Sequence, residues 1–280
     1  MERRYGGSVR VIGTVRAIAP VENAVLVADE EAPHLRAVTH RLIFEMHEAR
    51  RHIDARPGNA PGADGINIVA GTGSIAYGEY SGRGARAGGW GELFSDEGSA
   101  YWLAREGLRL FSRMSDGRAA RGALYEGVRR HFALADDLEL CAAIYGKSVA
   151  QRSQLAQLAK LVADAARAGD QAAQALFAQE VTELAEMVDA VRTQLHVPPG
   201  LALPVSYSGG LFQLRDLLLA PLAAALAARA HPYRFLPARL PPDGGAALQA
   251  AKLCGTPLDA RSITTLEAEV RIPSPAGQAP

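Results

Sequence analysis

Ile68-Val-Ala-Gly-Thr-Gly-Ser74 joins a short apolar run to a turn built from small residues and hydroxyls. The run Ile66 to Ala70 predicts a buried strand, because a continuous stretch rich in β-branched residues suits a sheet covered on both faces. A glycine turn at the end of such a strand can aim backbone N–H groups at an anion. Without a Cβ the chain takes positive φ readily and approaches a phosphate closely. Gly71, Thr72, Gly73 and Ser74 supply the turn, and Ser74 adds a hydroxyl for a phosphate oxygen. Alone, the segment also fits a strand-ending turn with no ligand. A Walker A loop is excluded, since no Gly-Lys-Ser/Thr follows.

Outward from this turn, Arg86-Ala-Gly-Gly-Trp-Gly91 and Asp96-Glu-Gly-Ser99 extend a glycine-rich stretch read as loops to Ser99. Trp90 lies between glycines and has little secondary structure to pack from, while an indole is a good platform for the apolar face of a sugar ring. Asp96 can accept hydrogen bonds from hydroxyls. Asp-Glu-Gly is equally an ordinary helix N-terminus whose acids suit the dipole. Gly209-Gly210, after a second predicted strand at Leu203 to Ser208, would let a flat adenine or ribose lie against the backbone. A plain strand-to-helix turn explains the same dipeptide.

Apolar spacing predicts a helix over Ser99 to Phe111, and Leu155, Leu158, Leu161 and Val162 mark one amphipathic helix that ends at Gly169. Asp170 is placed to cap the next, in which Phe177, Val181, Leu184, Val188, Val191 and Leu195 recur at spacings of four and three. The stripe spans too few heptads for a coiled coil, so it reads as a core-facing helix. An Ala/Leu-rich helix follows Phe212 to about Ala230, then a strand at Tyr233 to Leu236. Pro241-Pro-Asp-Gly-Gly245 opens a last helix through Leu253. The alternation predicts an α/β fold. Residues 1–62 read as a divergent N-terminal segment, 63–255 as the main domain and 256–280 as a loose tail.

Lys and Arg total 30, as do Asp and Glu, so no bulk charge favours a nucleic-acid or membrane-surface partner. Cys141 and Cys254 are far apart and form no CxxC pair, which argues against a disulfide scaffold, a structural zinc site or a conventional iron-sulfur ligand set. The N-terminus has no continuous apolar signal core, and a soluble cytoplasmic protein is expected. His47 and His52 imitate a zinc-protease motif with one residue too many. On a helix that spacing turns the imidazoles about 140° apart, so they cannot share a metal as an i, i+4 pair does.

Taken together, Ile68 to Gly78, Arg86 to Gly91, Asp96 to Trp102, Pro204 to Phe212 and Pro241 to Leu248 resemble the N-acetylglucosamine kinase and BadF/BadG/BcrA/BcrD ATPase family. That family lies within the actin, hexokinase and Hsp70 superfamily, and the resemblance covers about residues 64 to 255. It implies a ribonuclease-H-like α/β fold, with ATP in a cleft between two domains and transfer of its γ-phosphoryl group, with Mg²⁺, to a sugar hydroxyl. Gly71 to Ser74 would be the second phosphate loop and Gly209-Gly210 the adenosine-binding turn, with Trp90 and Asp96 on the sugar side. The resemblance also implies a catalytic aspartate on an earlier strand. Asp29 is its best match, although an Arg/His-rich stretch and a Pro/Gly loop intervene before the phosphate loop, and a surface Asp in an acidic triplet fits as well.

The family's leading Asp-Gly-Gly hairpin is not found before residue 60, and Tyr5-Gly6-Gly7-Ser8 is a faint imitation of it. The expectation is a second kinase domain behind an incomplete or divergent first domain. An amino-sugar kinase is the leading reading, with a non-catalytic nucleotide- or sugar-binding remnant as the alternative. A dehydratase-activator ATPase fits less well, because Cys141 and Cys254 lack the expected setting. The implied partners are a sugar and a nucleotide, with a homodimer compatible, and no metal-ligand set is identified.

Overall fold

The computed structural model describes residues 64–146, 152–237 and 264. Ile66 and Ile68 of β1 (Gly65–Ala70) are fully buried, as their apolar run requires. Around β1 lie β2 (Ser74–Tyr80), β3 (Arg83–Gly88), β4 (Leu203–Ser208) and β5 (Tyr233–Pro237), in the sheet order β3-β2-β1-β4-β5. The first three strands are antiparallel, whereas β1, β4 and β5 run parallel.

The β2–β3 hairpin corrects the reading of residues 74–88 as loops. Ser81 and Gly82 have φ of 48° and 77°, the left-handed pair that a tight hairpin turn demands. Glycines at 78, 84 and 88 mask the strand signal, since glycine weakens strand propensity. At Gly78 the reason is steric: a Cβ would lie 2.8 Å from Val191 and 2.9 Å from Ile66, where a long helix crosses the sheet.

The helices are α1 (Ala100–Ser115), α2 (Ala123–Phe132), α3 (Glu139–Tyr145), α4 (Arg152–Ala156), α5 (Ala159–Arg167), α6 (Gln171–Gln194) and α7 (Ala220–Ala227). The single helix expected around Leu155 to Val162 is divided into α4 and α5. At the break, Gln157 and Leu158 donate to residues three back, so the chain tightens for one turn. The Ala/Leu-rich helix expected after Phe212 likewise begins as a 3₁₀ turn at Gly210–Gln213 and a π turn at Arg215–Leu219. Pro221, at the start of α7, has no N–H to carry a regular ladder back into that turn.

Asp170 caps α6 as expected, accepting from Ala172 at 3.1 Å and Ala173 at 3.2 Å. The 24 residues of α6 extend about 36 Å and serve two cores. Leu176 and Phe177 join Trp102, Phe111, Leu124 and Val162 in a helical cluster. Val181, Leu184, Val188 and Val191 join Ile66, Ile68, Val205 and Leu222 against the sheet. Near its end the buried Arg192 donates to the carbonyls of Pro198 at 2.6 Å, Leu201 at 2.8 Å and Pro232 at 3.3 Å, tying the entry to β4 to the entry to β5.

Among the described residues no helix is long and apolar enough to cross a membrane. Asp29, His47, His52, Cys254, the expected helix through Leu253 and the terminal segments lie outside the described residues.

Candidate functional site

Parallel β1 and β4 are neighbours, so the turns that leave their C-terminal ends emerge side by side, the usual place for a ligand in an α/β sheet. Gly209 has φ of 110°, and a Cβ there would lie 2.6 Å from the Ala70 carbonyl carbon. Glycine is therefore required where the turn after β4 rests on the last residue of β1. Gly71 and Gly210 face open space in the direction a Cβ would take.

Within the first turn, Gly71 N–H donates to Gly73 O at 2.9 Å. The carbonyls of Gly71 and Thr72 accept from Ala100 at 2.9 Å and Tyr101 at 3.4 Å, so the first turn of α1 fills its unpaired donors from this loop. The N–H groups of Thr72 and Gly73 have no acceptor among the described residues. Two uncommitted donors beside open space suit a phosphate oxyanion. Ser74 departs from its expected role: it is buried, and its hydroxyl donates to the Glu97 carbonyl. Its proton is thereby committed to pinning the phosphate-type loop to residues 95–98.

Asp96 lies against this loop, its Oδ2 3.2 Å from where a Cβ of Gly73 would sit. It is 3% exposed and has φ of 64°, a conformation that costs a non-glycine residue about 1 kcal/mol or more. The alternative reading as a helix cap is filled by another residue. Ser99 caps α1, its hydroxyl accepting from Trp102 N–H at 3.1 Å. At Gly98, with φ of 78°, a Cβ would lie 2.6 Å from Leu184, so the 95–98 turn is pressed onto α6.

Trp90 follows β3 in a turn where Gly88, Gly89 and Gly91 all have positive φ. It is 63% exposed, with the Arg86 guanidinium 4.4 Å from its ring centre on one face. It is absent from the apolar clusters, as its glycine setting predicts, and the sugar-platform reading is left with the ring face away from Arg86.

Sequence reasoning missed Arg152. The first residue of α4, it forms an ion pair with Asp96 from 56 positions away and approaches Glu92 at 3.6 Å. Its one local signal is an inversion of the usual pattern, a cation in a first helical turn where the dipole favours acids. Nearby, burial raises the Glu183 carboxyl above its ordinary range, and the charges of Glu97 and Glu186 add to that shift. Among the described residues no group of three or more His, Cys, Asp or Glu side chains is arranged to hold a metal ion.

The sequence profile of the BadF/BadG/BcrA/BcrD ATPase family matches residues 38–225. The N-acetylmuramic acid/N-acetylglucosamine kinase of Clostridium acetobutylicum is 33% identical over 90 residues, which are 32% of this chain and 29% of that protein. The N-acetyl-D-glucosamine kinase of Dictyostelium discoideum is 26% identical over 187 residues, 66% of this chain and 59% of its own. A crystal structure of a protein assigned as an N-acetylglucosamine kinase from Chromobacterium violaceum superposes with a TM-score of 0.55 at 31% identity, covering 70% of this chain and 63% of that one. The chain thus spans less than two thirds of each of these relatives. The sheet order and this likeness establish the expected ribonuclease-H-like, actin/hexokinase-type ATPase fold.

Proposed function

The chain belongs to the BadF/BadG/BcrA/BcrD ATPase family, and on that premise we propose that it transfers the γ-phosphoryl group of ATP, with Mg²⁺, to a hydroxyl of N-acetylglucosamine or a related amino sugar. The observation that carries this reading is the packing of the Asp96 carboxylate against Gly73, which sets a hydroxyl acceptor beside a loop with free N–H donors. A phosphoryl transfer asks mostly for positioning and charge stabilisation, and this juxtaposition meets that requirement.

Each residue then has a physical task. Thr72 and Gly73 direct N–H groups at phosphate oxygens, and Gly71 leaves room for their approach. Ser74 holds the loop to Glu97. Gly209 and Gly210 offer a side-chain-free surface to the adenosine. Asp96 orients sugar hydroxyls and Trp90 offers its free face to the ring. Asp29 is assigned as acceptor of the attacked hydroxyl's proton. ATP, when bound, supplies the transferred group.

Incubating the purified chain with ATP, Mg²⁺ and a panel of hexoses and N-acetylhexosamines tests the proposal. A phosphorylated N-acetylhexosamine is expected, and Asp96→Asn should lower kcat/KM about 100-fold, since the charged acceptor for a sugar hydroxyl is lost. No sugar phosphate from any member of the panel, with protein that is folded, refutes the activity. Binding of sugar and nucleotide without turnover would replace it with the alternative reading, a ligand-sensing module. Asp29→Asn examines the proposed base separately: kcat should fall while sugar affinity changes little.

A further inference from the structure

Arg152 touches both halves of the proposed site. Its guanidinium pairs with Asp96, and a Cβ added at Gly73 would collide with the same Nη2. Nη1 is 3.6 Å from Glu92, and the guanidinium carbon is 5.8 Å from the ring centre of Tyr101, whose own N–H donates to Thr72 O. Nε is buried and has no acceptor among the described residues. The seat of this one cation is therefore made from the glycine loop, the Glu92 to Asp96 turn and the first turn of α1.

We propose that Arg152 is a positioning residue that couples occupancy of the Gly71–Gly73 loop to sugar binding at Asp96. The inference rests on the sugar-kinase reading above. A cation in contact with Gly73 lies next to any phosphate held by the Thr72 and Gly73 N–H groups, and such a phosphate competes with Asp96 for the guanidinium. As the guanidinium turns to the phosphate, Asp96 Oδ2 is released to accept from a sugar hydroxyl. Nucleotide therefore tightens sugar binding, and by thermodynamic reciprocity sugar tightens nucleotide by the same factor. In the unliganded protein Arg152 pairs with the buried Asp96 carboxylate.

The test is calorimetric titration of N-acetylglucosamine into the full chain, with and without a non-hydrolysable ATP analogue and Mg²⁺. Nucleotide is held above its own Kd for each variant. The wild-type ratio of the two sugar Kd values should be about fivefold or more, the lower end of ordinary coupling. Arg152→Gln should bring it to about 1, and Arg152→Lys, a compact charge without the planar fork, should give an intermediate ratio. Gly73→Ala keeps the charge but puts a methyl in the guanidinium's seat, and it should also abolish the ratio. This second variant decides the matter if Arg152→Gln does not fold by circular dichroism.

A wild-type ratio near 1, or a wild-type ratio retained in both Arg152→Gln and Gly73→Ala, overturns the inference while leaving sugar phosphorylation intact. Failure of the wild-type protein to bind sugar at all removes the sugar-kinase reading and this inference together.

Discussion

The sheet half and the helical half of the described molecule differ in where their tightest contacts fall. Around the sheet, glycines let side chains or main chain press onto the backbone. Gly78 lies under Val191, Gly98 under Leu184 and Gly209 on Ala70, each with a neighbour closer than a side chain would tolerate. In the helical half Gly107 seats Val162 in the same way, and two carboxylates join separate helices. Asp170 both caps α6 and accepts from Leu124 N–H at 2.9 Å, joining α2 to α6. Asp137 gathers Ser115 at 2.7 Å, Tyr125 at 2.8 Å and Arg129. Burial acts to raise the Asp137 carboxyl, but those hydrogen bonds and the Arg129 charge outweigh it and hold it below its ordinary value. The site draws on both halves, its loops from the rigid sheet and Arg152 from the clamped helices.

At the sheet, where Gly209 rests on main chain, Gly209→Ala should be the most damaging of four substitutions. The added methyl meets main chain at a φ of 110°, so a loss of about 3 kcal/mol or more is expected in urea unfolding, together with loss of nucleotide binding. Asp170→Ala probes the carboxylate clamps of the helical half. Removing the cap and leaving the buried Leu124 N–H unpaired should cost about 2 to 3 kcal/mol. Hydrogen exchange should rise first in α2 and the start of α6, and sheet amides should stay protected. Equal loosening of the sheet would show that the two cores are one cooperative unit.

Glu180 marks the seam, one residue from Val181 of the sheet core and three from Phe177 of the helical core. It is fully buried, neither oxygen has a partner among the described residues, and burial raises its carboxyl well above the ordinary range. With the folded value above the unfolded one, its contribution is complete below about pH 4.5 and is lost as pH rises through the folded value. Glu180→Met should therefore stabilise the protein by about 1 to 2 kcal/mol at pH 7, and the gain should shrink toward pH 4 in parallel thermal melts.

The smallest effect belongs to the exposed pair that joins α5 to the π turn. Hydrogen bonds from Arg167 hold Asp216 at about 2, below its ordinary 3.8. Its contribution is present above pH 3.8 and lost as pH falls toward 2, so Asp216→Asn should lower the melting temperature slightly at pH 7 and leave it unchanged near pH 2, flattening the acid limb.

Much of this architecture is legible in the chain. Ile66 to Ala70, Leu203 to Ser208 and the stripe from Phe177 to Leu195 report their elements because burial on a sheet or helix face selects apolar residues at the matching period. Asp170 reports its helix start because a cap needs an oxygen at that position. The β2–β3 hairpin is hidden by glycines whose reason is a neighbour distant in sequence, Val191. In the site, the glycine turn at Gly71 to Gly73 is legible as a turn that ends a strand. The partner of the Ser74 hydroxyl is not legible, because it depends on which carbonyl the fold brings to it, here Glu97.

The sequence by itself determined the family, the strand and turn that end at Gly73 and the core-facing side of α6, because these follow from local conformational freedom and hydrophobic period. Tertiary structure alone decided that Gly209 rests on Ala70, that Asp96 is buried against Gly73 and that Arg152 closes over both. Those contacts join residues 23 to 139 positions apart, and no local propensity encodes the distance between them.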